Sequence, residues 1–409
     1  MLIALCAGFS MSSASGLPVY PSLGARSVIE FSIALGSFAI GICEFAPMGL
    51  MPEMSASLAI SEFQVGHFIS AYSLGVMVGA PLLAVLGARL FRRHLLLLLM
   101  AFFALGNVLS AVAEGYNAML VSRFISGMPH GAYFGVMSLV AASLVPEDGR
   151  AKAVSRVMLG ISAAMLFGSP LATWFGQTAG WRTSFVLVSV LALITMVMIF
   201  YFLPANPAEH RNNPLNELKA VRNPAIWMAM IIDSVGFAGM FCAFSYLAPT
   251  LIYQAQADAS WVPVALGSFG LGAVAGNMAG GWLFDRLRFK ALGLLLLWGT
   301  IALLLYPLLT YSLPGMLLGC FLVGTMVSIS PALQTHLMDI AAGAQTLAAA
   351  SSASVFNIAN AMGPWLSGMA VAAGFGWSST GFVGAAMTAL ALLLYLTTGK
   401  IAAPKPATA

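Results

Sequence analysis

Long apolar stretches, each closed by a short break of Arg, Lys, Gly or Pro, recur along the whole chain. Stretches such as 185–203 and 291–309 are overwhelmingly apolar on all sides, without the two-residue alternation of a barrel strand. A helix rises 1.5 Å per residue, so about twenty apolar residues cross the hydrocarbon core of a bilayer. Cutting at the breaks predicts twelve helices over 28–51, 61–86, 95–113, 117–143, 153–177, 182–203, 224–253, 261–284, 291–311, 315–338, 345–372 and 377–399.

Composition turns that pattern into a fold class. Of 409 residues, 60% are hydrophobic and 7% charged. A soluble domain carries roughly 25% charged residues, so water is not the main solvent here. Hydrocarbon offers the backbone no hydrogen-bond partner, which leaves helices or a closed barrel, and the missing alternation selects helices. The expected class is an all-α membrane protein of twelve transmembrane helices.

The net charge of +4 is spread in small clusters between apolar runs, which is a topology signal and not a nucleic-acid footprint. With the N-terminus placed inside, the inner segments hold Arg26, Arg89, Arg92, Arg93, Arg150, Lys152, Arg156, Arg211, Lys219, Arg222, Arg286, Arg288, Lys290, Lys400 and Lys405. Arg182 falls outside and Arg123 within a span. Fifteen against one supports an even number of spans and two cytoplasmic ends.

The longest polar break, 204–223, divides the chain into a bundle over 28–203 and a second over 224–399, with an N-terminal extension at 1–27 and a cytoplasmic tail at 400–409. In each half the second helix runs into a short basic turn, 87–93 (GARLFRR) and 281–288 (GWLFDRLR). Repeated halves mark transporters whose site lies near the midplane; positive-inside bias alone would also place Arg there. Cys6, Cys43, Cys242 and Cys320 are scattered without CxxC pairing and read as small buried hydrophobes, with neither disulfide nor zinc expected. The opening 2–9 is apolar but lacks a basic leader and is too short to span, so 1–25 reads as a polar extension or a start assigned too far upstream.

Five landmarks carry a resemblance: 43–49 (CEFAPMG), 123–135 (RFISGMPHGAYFG), 168–170 (GSP), 270–277 (GLGAVAGN) and 356–360 (FNIAN). On these the chain resembles the major facilitator superfamily, in its drug-and-sugar efflux branch, and is most similar to AraJ-type sugar-efflux transporters. The likeness runs over nearly all of 28–399 and implies two pseudo-symmetric six-helix bundles that alternate access to one site. In such proteins the basic turn latches the cytoplasmic side, which implies gating roles for Arg89, Arg92, Arg93, Asp285 and Arg286. The usual acid of the first turn is missing, its place taken by Phe91 or a neighbour, so the arginines there are expected to meet helix C-terminal carbonyls instead. The segment 160–176, with Gly168 and Pro170, looks like the antiporter motif that packs the fifth helix closely against a neighbour, although many membrane helices carry such glycines.

Charge at bilayer depth costs several kcal/mol and so demands a partner or a watery cavity. Glu44, Arg123 and Asp233 qualify, with His130 as a further titratable group. Glu44 and Arg123 each fall about 9 Å below the outer face, counted along their helices at 1.5 Å per residue. They are expected to share a cavity, paired directly or through water, as a proton-dependent switch. The helical period puts Arg123, Gly127, His130 and Phe134 on one face. His130 is either part of the coupling set or a packing residue bonded to a neighbouring helix. Asp233, near the midplane, either binds a proton or a cationic substrate or sits as a neutral acid. Asn357 and Asn360, with Gln334 and His336, suit sugar hydroxyls and interhelical bonds equally. Phe237, Phe241, Phe244, Tyr246, Tyr133 and Phe134 could stack on a ring-bearing ligand or simply pack.

The expected function is export of a small solute, a sugar or drug-like compound, by proton antiport. The alternative is a proton-independent facilitator or importer of a small polar metabolite. No GxxxxGK[ST], HExxH or GxSxG motif is present, so neither ATP hydrolysis nor a membrane-embedded enzyme is expected. A channel is disfavoured by the duplication of the halves. No cofactor and no nucleic acid are expected; the partners are a small solute, protons and lipid, and the chain is expected to act as a monomer in a bacterial inner membrane.

Overall fold

The computed structural model describes residues 21–87, 90–146, 149–204, 224–329 and 345–402. Every regular element among them is helical. The first half contains α1 (Leu23–Gly49), a short α2 (Met51–Leu58), α3 (Glu62–Gly87), α4 (Arg92–Val112), α5 (Tyr116–Ser143), α6 (Arg150–Ala163) continued by α7 (Ser169–Ala179), and α8 (Arg182–Phe202). The second contains α9 (Pro224–Phe244), a short α10 (Leu247–Pro249), α11 (Val262–Leu287), α12 (Phe289–Leu309), α13 (Leu313–Gly324), α14 (Gln345–Ala372) and α15 (Ser379–Ala402).

Among the described residues nine helices are long and apolar enough to cross a membrane, and Leu313–Ser328 is a shorter apolar one. Beside them stand α5 and α14, each of 28 residues, which carry polar side chains at mid-length. The first helix begins at Leu23, earlier than the predicted 28, because Ser22 caps it by accepting from the Ala25 backbone N–H at 3.4 Å. The tenth predicted helix is described as far as Ile329, through a 3-10 turn at Thr325–Ser328. Gln334, His336, Arg89 and nearly all of the linker lie outside the described residues.

The two halves are built alike. In the first, α1 packs on α6 and α8, α3 on α5, and α4 on α8; in the second, α9 packs on α14 and α15, α11 on α13, and α12 on α15. The glycines repeat as well. A Cβ on Gly75 would overlap the Phe124 carbonyl and one on Gly127 the Tyr72 carbonyl, so α3 and α5 touch backbone to backbone. In the second half Gly272 meets the Phe321 carbonyl and Gly324 the Phe269 carbonyl, joining α11 to α13 in the same way. Close approach through small residues is how helices gain packing energy where lipid removes the hydrophobic drive.

Between α6 and α7 the chain makes a π-turn at Ala164–Gly168. Pro170 follows it, and a proline that can neither donate to nor clear the preceding turn is accommodated by such a widening. The chain thus accommodates Pro170 by a π-turn that ends at Gly168. A Cβ on Gly160 would overlap Ser37 and the Ala34 carbonyl, and one on Gly168 would lie 2.7 Å from Ile42, so this segment lies tight against α1.

Two seams join the halves. One is α3 against α14, where Ser70 donates to the Ala361 carbonyl at 2.7 Å. The other is α11 against the π-turn and α7, where a Cβ on Gly270 would sit 2.7 Å from the Leu166 Cα. Gln177 adds a polar bridge by donating to Glu53 at 3.2 Å and to the Ala259 carbonyl at 3.0 Å. Burial raises the Glu53 carboxyl above the usual carboxylate range.

Replacing Gly127 or Gly272 by Val is expected to lower stability by about 1–3 kcal/mol, because the obstructing atom is backbone and cannot rotate away. Gly281→Ala, where nothing lies within 4 Å, should leave the melting temperature unchanged. Thermal unfolding of the purified variants in detergent checks all three.

Candidate functional site

The buried polar groups of the first half converge on one side chain. Arg123, on α5, is fully buried and is the largest fully buried side chain in the chain's described part. Its guanidinium donates from Nη2 to the Cys43 carbonyl and from Nη1 to the Cys43 Sγ, both at 3.1 Å. Its plane lies over the Tyr72 ring at 4.4 Å and near the Phe185 ring at 5.5 Å. A cation that stays charged at any accessible pH is thus held by a carbonyl, a sulfur and two aromatic faces.

The Cys43 thiol donates in turn to Asn107 Oδ1 at 3.0 Å, and the Asn107 amide donates to the Phe103 carbonyl at 2.8 Å. On its other edge the Tyr72 hydroxyl meets His130 Nδ1 at 3.1 Å. His130 is buried, and its ring lies 5.0 Å from that of Phe134. The shared face of α5 is therefore real, with Tyr72 of α3 standing between its cation and its imidazole.

Glu44 does not form the direct one of the two expected arrangements. It is fully buried beside Cys43, yet no ion pair joins it to Arg123. Its Oε1 instead accepts from Asn360 Nδ2 at 2.9 Å, across the seam between the halves. Equal depth predicted a shared cavity with a direct or water-mediated pair; the direct pair is not formed, since consecutive residues on a helix point about 100° apart. Cys43 faces the α4 and α5 side, and Glu44 faces α14. Asn357 is buried on the same helix, three residues before Asn360.

The aromatic candidates are packed. Phe237 and Phe241 lie edge-on to Phe356 at 5.9 and 5.1 Å, and Phe244 stacks on Phe269 at 3.7 Å. Tyr133 donates its hydroxyl to the Ile33 carbonyl at 2.7 Å and covers Gly36, so it fixes α5 to α1. The Tyr246 hydroxyl donates to the Pro364 carbonyl at 3.0 Å. Asp233 stands apart from Glu44 in the second half, fully buried, with no hydrogen-bond partner for either carboxyl oxygen among the described residues.

At the basic turns, Arg93 donates to the Phe200 carbonyl at 2.6 Å and lies over the Phe200 ring at 5.2 Å, while Arg92 reaches the Leu139 carbonyl at 3.4 Å. Phe200 lies in the last turn of α8, where carbonyls are left without helical donors, and Leu139 lies just before the last turn of α5. Asp285 is exposed without an ion pair among the described residues, and Arg286 lies over Trp282 at 4.0 Å. No partner for the latch expected of Asp285 stands among the described residues.

Several further members join the site. Cys43, expected as a small buried hydrophobe, is a two-way hydrogen-bonding group. Tyr72 and Asn107 gave no signal because a lone Tyr or Asn in an apolar run has no distinguishing spacing. Glu30 was legible as an acid inside the first span; it forms a two-pronged pair with Arg156 at 2.7 and 2.5 Å, and Arg26 lies 3.5 Å away.

A sequence profile of the Major Facilitator Superfamily matches residues 33–349. The Escherichia coli (strain K12) inner membrane transport protein YdhP is 38% identical over 364 residues, 89% of this chain and 94% of YdhP. The transporter AraJ of the same strain is 31% identical over 375 residues, 90% of this chain and 94% of AraJ. A chloramphenicol resistance protein of Streptomyces lividans is 30% identical over 342 residues, 82% of this chain and 86% of that protein. Among solved structures, a bacterial homolog to the human lysosomal transporter Spinster, inward-facing and unoccupied, superposes with a TM-score of 0.79 at 15% identity, over 94% of this chain and 100% of that one.

Tyr72→Phe keeps the ring under Arg123 but removes the bond to His130, and is expected to cost about 1 kcal/mol. Tyr72→Ala also uncovers the guanidinium and should cost about 3–5 kcal/mol, the range of a buried aromatic truncation. Equilibrium unfolding in mixed micelles, comparing the two, checks the ordering.

Proposed function

This chain belongs to the Major Facilitator Superfamily, and from that premise we propose that it exports a small solute, a sugar or a drug-like compound, in exchange for protons. It is a transporter of the efflux type and not an enzyme. In the proposed arrangement twelve spans cross a bacterial inner membrane, both chain ends are cytoplasmic, and the chain works as a monomer.

The observation that carries the reading is the bond from Asn360 to Glu44. It places a titratable group on the seam that must open and close, one residue from the carbonyl that holds Arg123. A carboxyl there has two alternative partners. As an anion it is drawn to the guanidinium of its own half; once protonated it loses that attraction and is free to bond the amide of the other half. A proton thus biases which seam is closed, and a ligand can shift such an equilibrium only through differential affinity of this kind.

The seams support a direction for the cycle. The described contacts between halves, from Glu44 and Phe45 to Gly49, Gln177, Ser70 and Gly270, lie from mid-depth to the end of α1 that carries Gly49. With the basic turns cytoplasmic, that end is periplasmic, so this conformation is closed outside. Asn357, Asn360, His130 and Phe134 are the side chains proposed to meet the solute from the inner side, with Phe237 and Phe241 lining it once Phe356 moves; Tyr133 is assigned to packing. Arg92, Arg93 and Arg286 are proposed to close the inner side in the opposite state, when the helix ends approach.

The test is solute-stimulated proton movement in proteoliposomes, screened over sugars and cationic drugs. The parent protein is expected to accumulate its solute when a pH gradient is imposed, and to lose that accumulation when the gradient is collapsed. Glu44→Gln should abolish uphill accumulation while leaving downhill exchange. Arg123→Lys should fail to restore the parent's coupling, since an ammonium cannot reproduce the two-pronged donation and stacking of a guanidinium. Undiminished transport without a gradient would identify a facilitator and end the antiport reading.

A further inference from the structure

Asp233 lies nine residues into α9, roughly 14 Å along its axis. It is fully buried and neither oxygen has a partner among the described residues, which sets it apart from Glu44, Glu30 and Glu53. One turn further on, on the same face, Phe237 meets Phe356 of α14, and a turn later Phe241 meets the same ring. Gly236, beside it, is backed by Leu296 of α12 and Ala391 of α15.

No counter-charge is at hand among the described residues. Among the described residues the helices packed on α9 are α12, α13, α14 and α15, together with the 3-10 turn Thr325–Ser328. Their only charged residues are Lys290, in the first turn of α12, and Lys400, near the end of α15. Their other titratable groups are Tyr306, Tyr395 and Cys320, and α9 itself adds Cys242. Tyr395 is committed to the Phe289 carbonyl at 3.1 Å. The start of α14, 345–354, contains no titratable residue at all. A buried anion without a partner is not tolerated in such surroundings, whereas the neutral acid is.

We propose that Asp233 is a second proton-binding site, in the second half of the transporter, loaded in this conformation and separated from the Glu44–Asn360 pair by the Phe237–Phe356–Phe241 cluster. The proton enters as the carboxylate's own counter-ion when water reaches it, and leaves when α9 and α14 part around Phe356. Its role in the cycle rests on the antiport reading; its protonation does not. Each turnover then moves one proton through Asp233 in addition to the one through Glu44.

Infrared spectroscopy of the full chain in lipid tests the site directly through the C=O stretch of protonated carboxyl groups. A protonated-carboxyl band is expected at neutral pH that shifts on isotopic labelling of aspartate, persists in Glu44→Gln and vanishes in Asp233→Asn. Aspartate labelling without any shift of such a band would overturn the proposal, and this reading needs no variant to fold. With the solute found by the screen, Asp233→Asn should lower the proton-to-solute ratio by one, and an unchanged ratio would refute the carrier role. If no solute moves with protons, the antiport reading fails while the labelled band still decides the site.

Discussion

A guanidinium that cannot give up its proton is buried where water is scarce, and much of the first half is arranged around that fact. Arg123 is accommodated because Cys43 offers both its carbonyl and its sulfur, and because Tyr72 and Phe185 turn ring faces toward it. Three helices are thereby fixed around a fourth. Since the cation is already held by neutral groups, the neighbouring carboxyl is not committed to it. Glu44 is left free to bond the opposite half, and the proposed proton coupling uses that freedom.

The second constraint is close backbone approach. Without a hydrophobic drive between helices, the halves cohere through glycines that let main chains meet, and the same device recurs at α3 with α5 and at α11 with α13. The seams between halves use it more sparingly: Gly270 against the π-turn, and a few hydrogen bonds such as Ser70 to Ala361. Rigid halves with lighter seams suit a molecule whose halves rock against each other while each stays intact. The π-turn before Pro170 serves both purposes, because it lies against α1 within its own half and against α11 in the other.

Charge is distributed by depth in a way that fits this division. Arg92 and Arg93 meet helix-end carbonyls near the membrane surface, and Glu30 with Arg156 ties α1 to α6 within one half. Among the described residues, Glu44 reaches across at mid-depth, and Asp233 in the second half stands buried without a hydrogen-bond partner. Architectural polar groups are satisfied within a half or across the seam, as Ser70 and Gln177 are, whereas the Asp233 carboxyl is left without a hydrogen-bond partner among the described residues.

By itself the sequence determined that the chain is helical, membrane-spanning and duplicated, because apolar length and the placing of Arg and Lys are one-dimensional properties that lipid reads directly. It also determined which residues were too polar for their depth: Glu44, Arg123, His130 and Asp233. Only the tertiary structure decided their partners. Depth along a helix follows from counting residues, but azimuth relative to other helices depends on how the bundle packs, so Glu44 met Asn360 and not Arg123, and Cys43 became a ligand of the guanidinium. Tyr72 and Asn107 entered for the same reason, since a lone polar atom in an apolar run acquires meaning only from what faces it.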